Sequence, residues 1–143
     1  MSKIHVQDGA ENEWTPIRSV IGRELSERMT EGELLGEFKP HDRGDPAGLE
    51  LLEVYYPADA EISVHAHLED EIIFVVDGSI QLGNRTYGKG SSLFVARHTL
   101  YGFKAGPEGL HLVNFRAKAD ASFITSQDFM KQREQDRADT AEQ

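Results

Sequence analysis

The hydrophobic positions of this chain fall into short runs that are separated by turn-forming residues. The runs are rich in β-branched and aromatic side chains, and Gly, Pro, Asp and Asn separate them. Such runs predict β-strands, and no long amphipathic helical pattern lies between them. Eight or nine short strands with regularly spaced turns are typical of an antiparallel sandwich or barrel. The predicted strands cover residues 34–38, 49–56, 61–67, 71–76, 79–83, 86–88, 92–96, 100–105 and 110–117.

One predicted strand, residues 71–76, is apolar without alternation. Its sequence EIIFVV predicts a strand that is covered on both faces. One cover is the barrel interior, and the other is the N-terminal lead, the C-terminal helix or a second subunit. We therefore expect a homodimer. The following Asp77–Gly78 pair predicts a hairpin turn.

The two ends of the chain have a different pattern from its middle. Residues 1–33 are predicted to form an irregular lead, residues 34–120 one β-barrel domain, and residues 121–143 a short helix with a frayed tail. Ser126 gives a helix N-cap signal, and Phe129 and Met130 predict that one or two turns dock on the body. A length of 143 residues suits a single domain.

Charge and composition exclude several classes of partner. Lys and Arg number 15 against 25 Asp and Glu, and the net charge of −10 repels phosphate backbones and anionic lipids. We expect no nucleic-acid partner and no membrane partner. The start of the chain is polar and no run approaches eighteen apolar residues, so the expected location is the cytoplasm. Without cysteine there is neither a disulfide nor a thiolate metal site.

The strand at residues 61–67 carries the candidate chemistry. It alternates strictly, so His65 and His67 point to the same side and can reach one metal ion. Glu71 follows after only three residues, and a tight connection is expected to return it beside the histidines on an adjacent strand. Two imidazoles and one carboxylate form a ligand set that leaves coordination positions open. Glu69 and Asp70 are read as solvated turn residues, although either one is an alternative to Glu71.

These residues and their spacing resemble the first motif of the cupin superfamily. The match is His65-x-His67-x3-Glu71-x6-Gly78, in which the family binds a metal through the two histidines and the glutamate. Asp59 stands where the family motif has a glycine. The resemblance covers residues 48–117. It implies an all-β, antiparallel double-stranded β-helix or jelly-roll barrel, usually dimeric, with a metal near the barrel centre; a short C-terminal helix follows here.

The second cupin motif is only partly present, in residues 90–105. Gly90 matches the motif, whereas Ala96 replaces its proline and His98 its second glycine. Tyr101 stands where the family has its last metal-binding histidine, and Ala105 replaces the asparagine. The fourth ligand position is therefore a phenol.

Three interpretations of Tyr101 remain open. It ligates the metal as a phenolate, because a bound cation lowers a phenol pKa. Alternatively, it lies unbound near the metal as a catalytic general acid or hydrogen-bond donor. In the third interpretation it is an ordinary barrel tyrosine. His98 is the next candidate for the fourth ligand. In the alternative interpretation, its side chain lies on the rim of the barrel and binds no metal.

Other polar and aromatic positions carry weaker signals. Glu53 lies among apolar neighbours, so it pairs with Arg116 or Arg97 or faces water. His111 is read as a core or pocket-lining residue rather than a ligand. The phenylalanines at positions 74, 94 and 103 are expected in the core, with some of them lining a substrate cavity.

Two classes of function fit these features. The first is a metal-dependent enzyme, since nitrogen and oxygen ligands suit a divalent Fe, Mn, Zn, Ni or Co ion. The resemblance makes a dioxygenase acting on a small carbonyl or aromatic metabolite the leading enzyme class, and Zn or Mn would instead indicate an isomerase or lyase. The second class is a non-catalytic sensor or binding module for a small molecule.

Overall fold

Within the residues that the structure describes, nine strands form one curled antiparallel β-sheet. The structure is a computed structural model that describes residues 3–42, 44–118 and 122–141, and the elements below are those of these ranges. The strands are β1 (Thr15–Pro16), β2 (Glu37–Pro40), β3 (Glu50–Tyr56), β4 (Glu61–Ala66), β5 (Glu71–Leu82), β6 (Arg85–Gly88), β7 (Ser92–Val95), β8 (Tyr101–Arg116) and β9 (Ile124–Thr125). A 3-10 helix (Ile17–Ser19), α1 (Arg23–Ser26), α2 (Glu31–Leu34) and α3 (Ser126–Ala141) complete the fold.

Strand β8 organises the sheet. It is 16 residues long and joins the two runs predicted at 100–105 and 110–117. It pairs with β3, β4 and β5, while the sheet continues outwards in the order β1-β2-β3-β8-β4-β9. Strand β5 also pairs with β6 and β7. Side chains from several strands therefore converge on the inner face of β8.

The core follows the alternation of the strands. On β5, Ile73 and Val75 are buried whereas Ile72 and Phe74 are exposed. Leu110 and Leu112 of β8 and Val54 of β3 complete the same buried cluster. The all-β antiparallel architecture is confirmed, but the described residues bury only one face of β5.

The predicted hairpin turn at Asp77–Gly78 is wrong. Strand β5 continues through both residues, and its register against β8 shifts between Val75 and Asp77 and again between Gly78 and Ile80. Gly78 has a φ of 76°. A Cβ at this position would lie 2.1 Å from the carbonyl oxygen of Gly109. The glycine permits an irregularity where two strands cross closely, and the chain reverses only near Gly83.

The N-terminal lead is more ordered than its sequence indicates. Strand β1 pairs with β2. Helix α2 begins at a capping box, in which the Thr30 hydroxyl accepts from the Glu33 amide and the Glu33 carboxylate accepts from the Thr30 amide. The run predicted as a strand at residues 34–38 is divided, because α2 ends at Leu34 and β2 begins at Glu37.

Helix α3 is longer than the predicted one or two turns. It spans 16 residues and has no buried residue. Hydrogen bonds from Gln132 to Asp136 and from Gln135 to Asp139 link successive turns along its surface. Among the described residues, none of the helices combines the length and apolarity that crossing a membrane requires.

The close crossing at Gly78 predicts a large effect of one added methyl group. Gly78→Ala should lower the free energy of unfolding by about 3–4 kcal/mol, through left-handed strain and the clash with Gly109. Gly83→Ala is the matched control, because Gly83 also has positive φ, 61°, but has open space around it. It should cost only about 1 kcal/mol. Urea unfolding followed by circular dichroism measures both, and equal losses would contradict the proposed crossing.

Candidate functional site

A cavity of about 320 Å³ lies between the inner face of the sheet and the lead. Its walls are mostly apolar: the sheet contributes side chains such as Leu52 and Phe103, and the lead contributes Ile21, Leu25 and Met29. Polar side chains are grouped on the strands and on the segment before β9; they are His65, His67, Tyr101, Asn114, Arg116 and Ser122. The site is therefore an apolar cavity with one cluster of polar side chains.

His65 is fixed on the inner face of β4. Its side chain is buried, and its Nδ1–H donates to the carbonyl oxygen of Ser63 at 2.7 Å. Phe123 stacks on the ring at 4.3 Å between centroids. Because Nδ1 carries the proton in this bond, the lone pair of the neutral ring is on Nε2. Burial is the main reason that the pKa of His65 is lowered to about 4.

His67 lies beside His65, as strand parity predicts. The two ring centroids are 4.8 Å apart, with the rings nearly perpendicular. The Nδ1–H of His67 donates to the carbonyl oxygen of Ser122, on the segment that leads into β9. Both histidines are thus oriented by backbone carbonyls, an arrangement that is common for metal-ligating histidines.

Glu71 is buried on β5, with each of its carboxylate oxygens already hydrogen-bonded. Oε1 accepts from the Tyr101 hydroxyl. Oε2 accepts from Arg116 Nη2 at 2.9 Å and from Asn114 Nδ2 at 3.2 Å. All three donors are on β8, the strand that pairs with β5. The positive charge of Arg116 therefore balances the negative charge of the Glu71 carboxylate, and three hydrogen bonds hold the carboxylate in place.

The expectation that His65, His67 and Glu71 come from adjacent strands is wrong. Strand β4 pairs with β8 and β9 but not with β5, so the loop at 68–70 connects strands that are not neighbours. Among the described residues, no three side chains of His, Cys, Asp or Glu form a group able to hold a metal ion. The structure brings the two histidines together and places Glu71 next to Tyr101.

Tyr101 connects the histidines with the carboxylate. It pairs with His65 across β4 and β8, and their ring centroids are 4.7 Å apart. Burial, the charge of Glu71 and the hydrogen bond to that carboxylate raise the pKa of the phenol far above its ordinary value. Without a bound ion, Tyr101 is therefore a protonated phenol that donates a hydrogen bond to Glu71.

Arg116 is the principal residue of the site that the sequence interpretation missed. It is buried and bridges Glu50 at 2.6 Å and Glu71 at 2.9 Å. Burial would lower its pKa, but the two carboxylates outweigh that effect and raise it. Strand parity gave a signal, because Arg116 shares the inward face of β8 with Leu112, and a buried arginine requires acidic partners.

Glu53 does not pair with Arg116 or Arg97. It lies on the outer face of the sheet, where His41 Nε2 and His111 Nε2 approach its oxygens at 2.7 and 2.9 Å. Burial favours the acid form, but these hydrogen bonds outweigh it and lower the pKa of Glu53. His111 is half-buried against Trp14 rather than in the cavity.

Two other candidates lie outside the cavity. Asp70 is at the surface, where its carboxylate accepts from the backbone amide of Arg97 at 2.8 Å and pairs with its guanidinium. His98 has a φ of 59° and an exposed side chain, so the position at which cupins have a turn glycine keeps a left-handed backbone here. Its side chain is exposed, and its backbone amide donates to the carbonyl oxygen of His67 at 2.9 Å.

A buried glutamate supports the strand that bears His65. Glu33 of α2 accepts from the Ser63 hydroxyl at 2.9 Å and from the Thr30 amide at 3.0 Å. The carbonyl of Ser63 in turn accepts from His65. The lead therefore contacts the histidine strand through a continuous hydrogen-bonded path. In the sequence, the signal for Glu33 is its capping-box spacing from Thr30.

Several solved structures share this architecture. An RmlC-like cupin of Shewanella frigidimarina is 22% identical, with 81% of this chain and 92% of that chain covered and a TM-score of 0.60. KdgF of Halomonas sp. is 21% identical over 78% and 91% of the two chains, with a TM-score of 0.56. The polyketide cyclase RemF of Streptomyces resistomycificus is 18% identical over 88% and 85%, with a TM-score of 0.59.

The chain has the cupin fold. The predicted jelly-roll barrel with a C-terminal helix is therefore confirmed. Sequence identities this low support a shared fold and nothing more specific. No protein-family model matches the chain, and no curated protein matches it.

The donor atoms of this cupin barrel suit a borderline divalent ion. His65 and His67 present imidazoles that their Nδ1 hydrogen bonds have already oriented, and nitrogen and oxygen donors without thiolate suit Fe, Mn, Zn, Ni or Co. Glu71 is the third donor of the cupin motif. In this structure its two oxygens accept from Tyr101, Asn114 and Arg116.

The buried, neutral His65 predicts a pH dependence of stability in the metal-free protein. Its folded-state pKa of about 4 lies below the ordinary 6.5, so the unfolded chain binds the proton first as the pH falls. The free energy of unfolding should therefore decrease between pH 6.5 and 4, by about 2 kcal/mol at pH 5 from this group. Urea titrations of chelator-treated protein at pH 7 and 5 measure the loss. It should shrink in His65→Gln and persist in His98→Asn, and identical losses in all three proteins would contradict this assignment.

Proposed function

We propose that this cupin is a metal-dependent enzyme that acts on a small carbonyl or aromatic metabolite, with a dioxygenase as the leading class. The observation that carries the proposal is the pair of carbonyl-anchored histidines inside an otherwise apolar cavity. Two imidazoles oriented in this way are suited to bind a divalent ion and leave coordination positions for a substrate.

The size and lining of the cavity support the substrate class. A volume of about 320 Å³ is at the lower end for small-molecule sites. Apolar walls from both the sheet and the lead favour an aromatic ring or a short aliphatic body. A sugar or a nucleotide would need hydrogen-bonding groups around its whole surface, and the polar residues here are grouped instead. A compound with one carbonyl, enol or phenol group suits this distribution.

Five polar residues have a role in this proposal. His65 and His67 hold the ion, and Glu71 is the third ligand. When bound, the ion supplies Lewis acidity or, as iron, one-electron redox chemistry. Tyr101 donates a hydrogen bond to a substrate oxygen or acts as a general acid, because its hydroxyl lies beside His65 at the cavity. Arg116 stabilises negative charge on Glu71 and on a substrate anion.

A second candidate is a non-catalytic small-molecule sensor. The hydrogen bonding of Glu71 favours this candidate, because both carboxylate oxygens already accept hydrogen bonds from Tyr101, Asn114 and Arg116. Such a network holds the barrel in one arrangement without any ion. Zinc or manganese at the histidines would instead support an isomerase or lyase. Oxygen-uptake assays with diketones, catechols and hydroxy-acids separate the dioxygenase from both alternatives.

Removal of either cavity histidine is expected to abolish metal binding. His65→Ala and His67→Ala should each lose most of the ion that copurifies with the protein under anoxic conditions, since each supplies one imidazole of the pair. His98→Asn is the matched control, because its ring is exposed and Asn tolerates a left-handed backbone. Elemental analysis per chain gives the result. Stoichiometric metal in both cavity variants would refute the site.

Tyr101→Phe separates a catalytic hydroxyl from a metal ligand. The ring and its packing remain, and only the oxygen that donates to Glu71 is lost. Metal content should be unchanged while turnover with an active substrate falls by roughly 10²–10⁴-fold, the usual contribution of a positioned acid. Tyr87→Phe, on the exposed strand β6, serves as the control. Loss of metal in Tyr101→Phe would identify the phenol as a ligand. Unchanged turnover would show that Tyr101 only lines the cavity.

A further inference from the structure

Tyr56 is a second tyrosine that lines the cavity. It is the last residue of β3, and the alternate residues Leu52, Val54 and Tyr56 of that strand all line the same space. Across the sheet, it pairs with Leu110 of β8. Strand β3 therefore presents the phenol of Tyr56 to the cavity that also contains the phenol of Tyr101.

The ring of Tyr56 is held by two neighbours. Phe103 of β8 meets it edge-on, with 6.1 Å between the ring centroids and an angle of 69° between the ring planes. The lead also passes close to the ring, so that a Cβ at Gly36 would lie 2.9 Å from Cδ1 of Tyr56. A ring that is fixed by packing presents its hydroxyl at one place, which favours a specific contact with a ligand.

The hydroxyl of Tyr56 is available for such a contact. Within the parts of the chain that the structure describes, it has no hydrogen-bond partner, and it is not one of the closed-off polar atoms of these residues. It is therefore accessible from the cavity. The hydroxyl of Tyr101, by contrast, already donates to Glu71. A ligand can accept from Tyr56 without displacing a hydrogen bond of the protein.

The phenol of Tyr56 is a hydrogen-bond donor at neutral pH. Burial, followed by the charges of Glu33 and Glu71, raises its pKa above the ordinary value for tyrosine, while Arg116 opposes this shift. Because Glu71 and Arg116 act on it, the phenol lies within the electrostatic field of the polar end of the cavity. A ligand oxygen that is bound there meets an unionised donor.

We propose that Tyr56 is a specificity-determining residue, whose hydroxyl donates a hydrogen bond to the carbonyl, enol or phenol oxygen of a small ligand in the cavity. The fixed ring with its unused hydroxyl carries this assignment. A hydrocarbon of the same shape would leave the hydroxyl without a partner, and an unpaired buried donor is costly. This role rests on the proposed function only for the class of ligand, since the hydrogen bond requires no metal ion.

Calorimetric titration of the chelator-treated full chain with two matched probes tests this role. Acetophenone has a carbonyl oxygen where α-methylstyrene has a methylene group, so the two probes differ by one hydrogen-bond acceptor. In Tyr56→Phe, the Kd of acetophenone should rise roughly 3- to 10-fold, the range that one neutral hydrogen bond supplies. The Kd of α-methylstyrene should not rise, which also shows that the cavity of the variant is intact.

Tyr55→Phe is the matched control. Tyr55 precedes Tyr56 on β3, but its ring lies against Trp14 on the outer face of the sheet, so both Kd values should stay at those of the wild type. An equal change for the two probes in Tyr56→Phe, or no change for either, would overturn the role of the hydroxyl. A wild-type chain that binds neither probe would overturn it as well. Failure of metal binding or of oxygen uptake would contradict the proposed function alone, because both titrations are made without an ion.

Discussion

The buried ion pair between Glu71 and Arg116 determines how the interior of this barrel is arranged. A carboxylate and a guanidinium removed from water are costly unless each is paired and hydrogen-bonded. Glu71 meets this requirement through Arg116, Asn114 and Tyr101, and Arg116 meets it through Glu71 and Glu50. Because these partners lie on β3, β5 and β8, the pair fixes three strands relative to one another. Tyr101 lies beside His65 because β8 also pairs with β4.

The two faces of β8 and its neighbours have separate roles. The inner face presents His65, His67, Tyr101 and Arg116 to one cavity, while the outer face carries apolar side chains in register. Successive side chains of a strand point to opposite faces, so alternate residues of the same strands build the inner face and the outer face. The cavity and the outer apolar side chains are therefore separate in space, although strands β5 and β8 contribute to both.

The lead and the segment before β9 complete the cavity from outside the sheet. Ile21 and Leu25 close one wall, and Ser122 and Phe123 contact the histidines. Arg28 in the lead pairs with Asp128 of α3 at 2.7 Å, so these two coverings are connected. Glu33 joins α2 to the strand of His65. Any ligand that enters the cavity thus contacts segments whose sequences carry no strand pattern.

The sequence by itself determined the local features of this protein. Alternation placed His65 and His67 on one side of a strand, short apolar runs predicted an antiparallel β-barrel, and the histidine spacing indicated cupins. These are properties of neighbouring residues along the chain, and period and spacing express them directly. The turn predicted at Asp77–Gly78 was wrong because neighbouring residues alone do not explain this glycine. It is required by the close approach of Gly109, which is distant in sequence.

Only the tertiary structure decided which strands become neighbours. Glu71 follows the histidines closely in sequence, yet β5 pairs with β8 rather than β4, so its carboxylate binds Arg116 and Tyr101. Likewise, Glu53 and Arg116 are both strand residues, but they lie on opposite faces of the sheet and take different partners. Pairing between distant strands depends on the packing of the whole core and on the pairing of buried charge, which no short stretch of sequence contains.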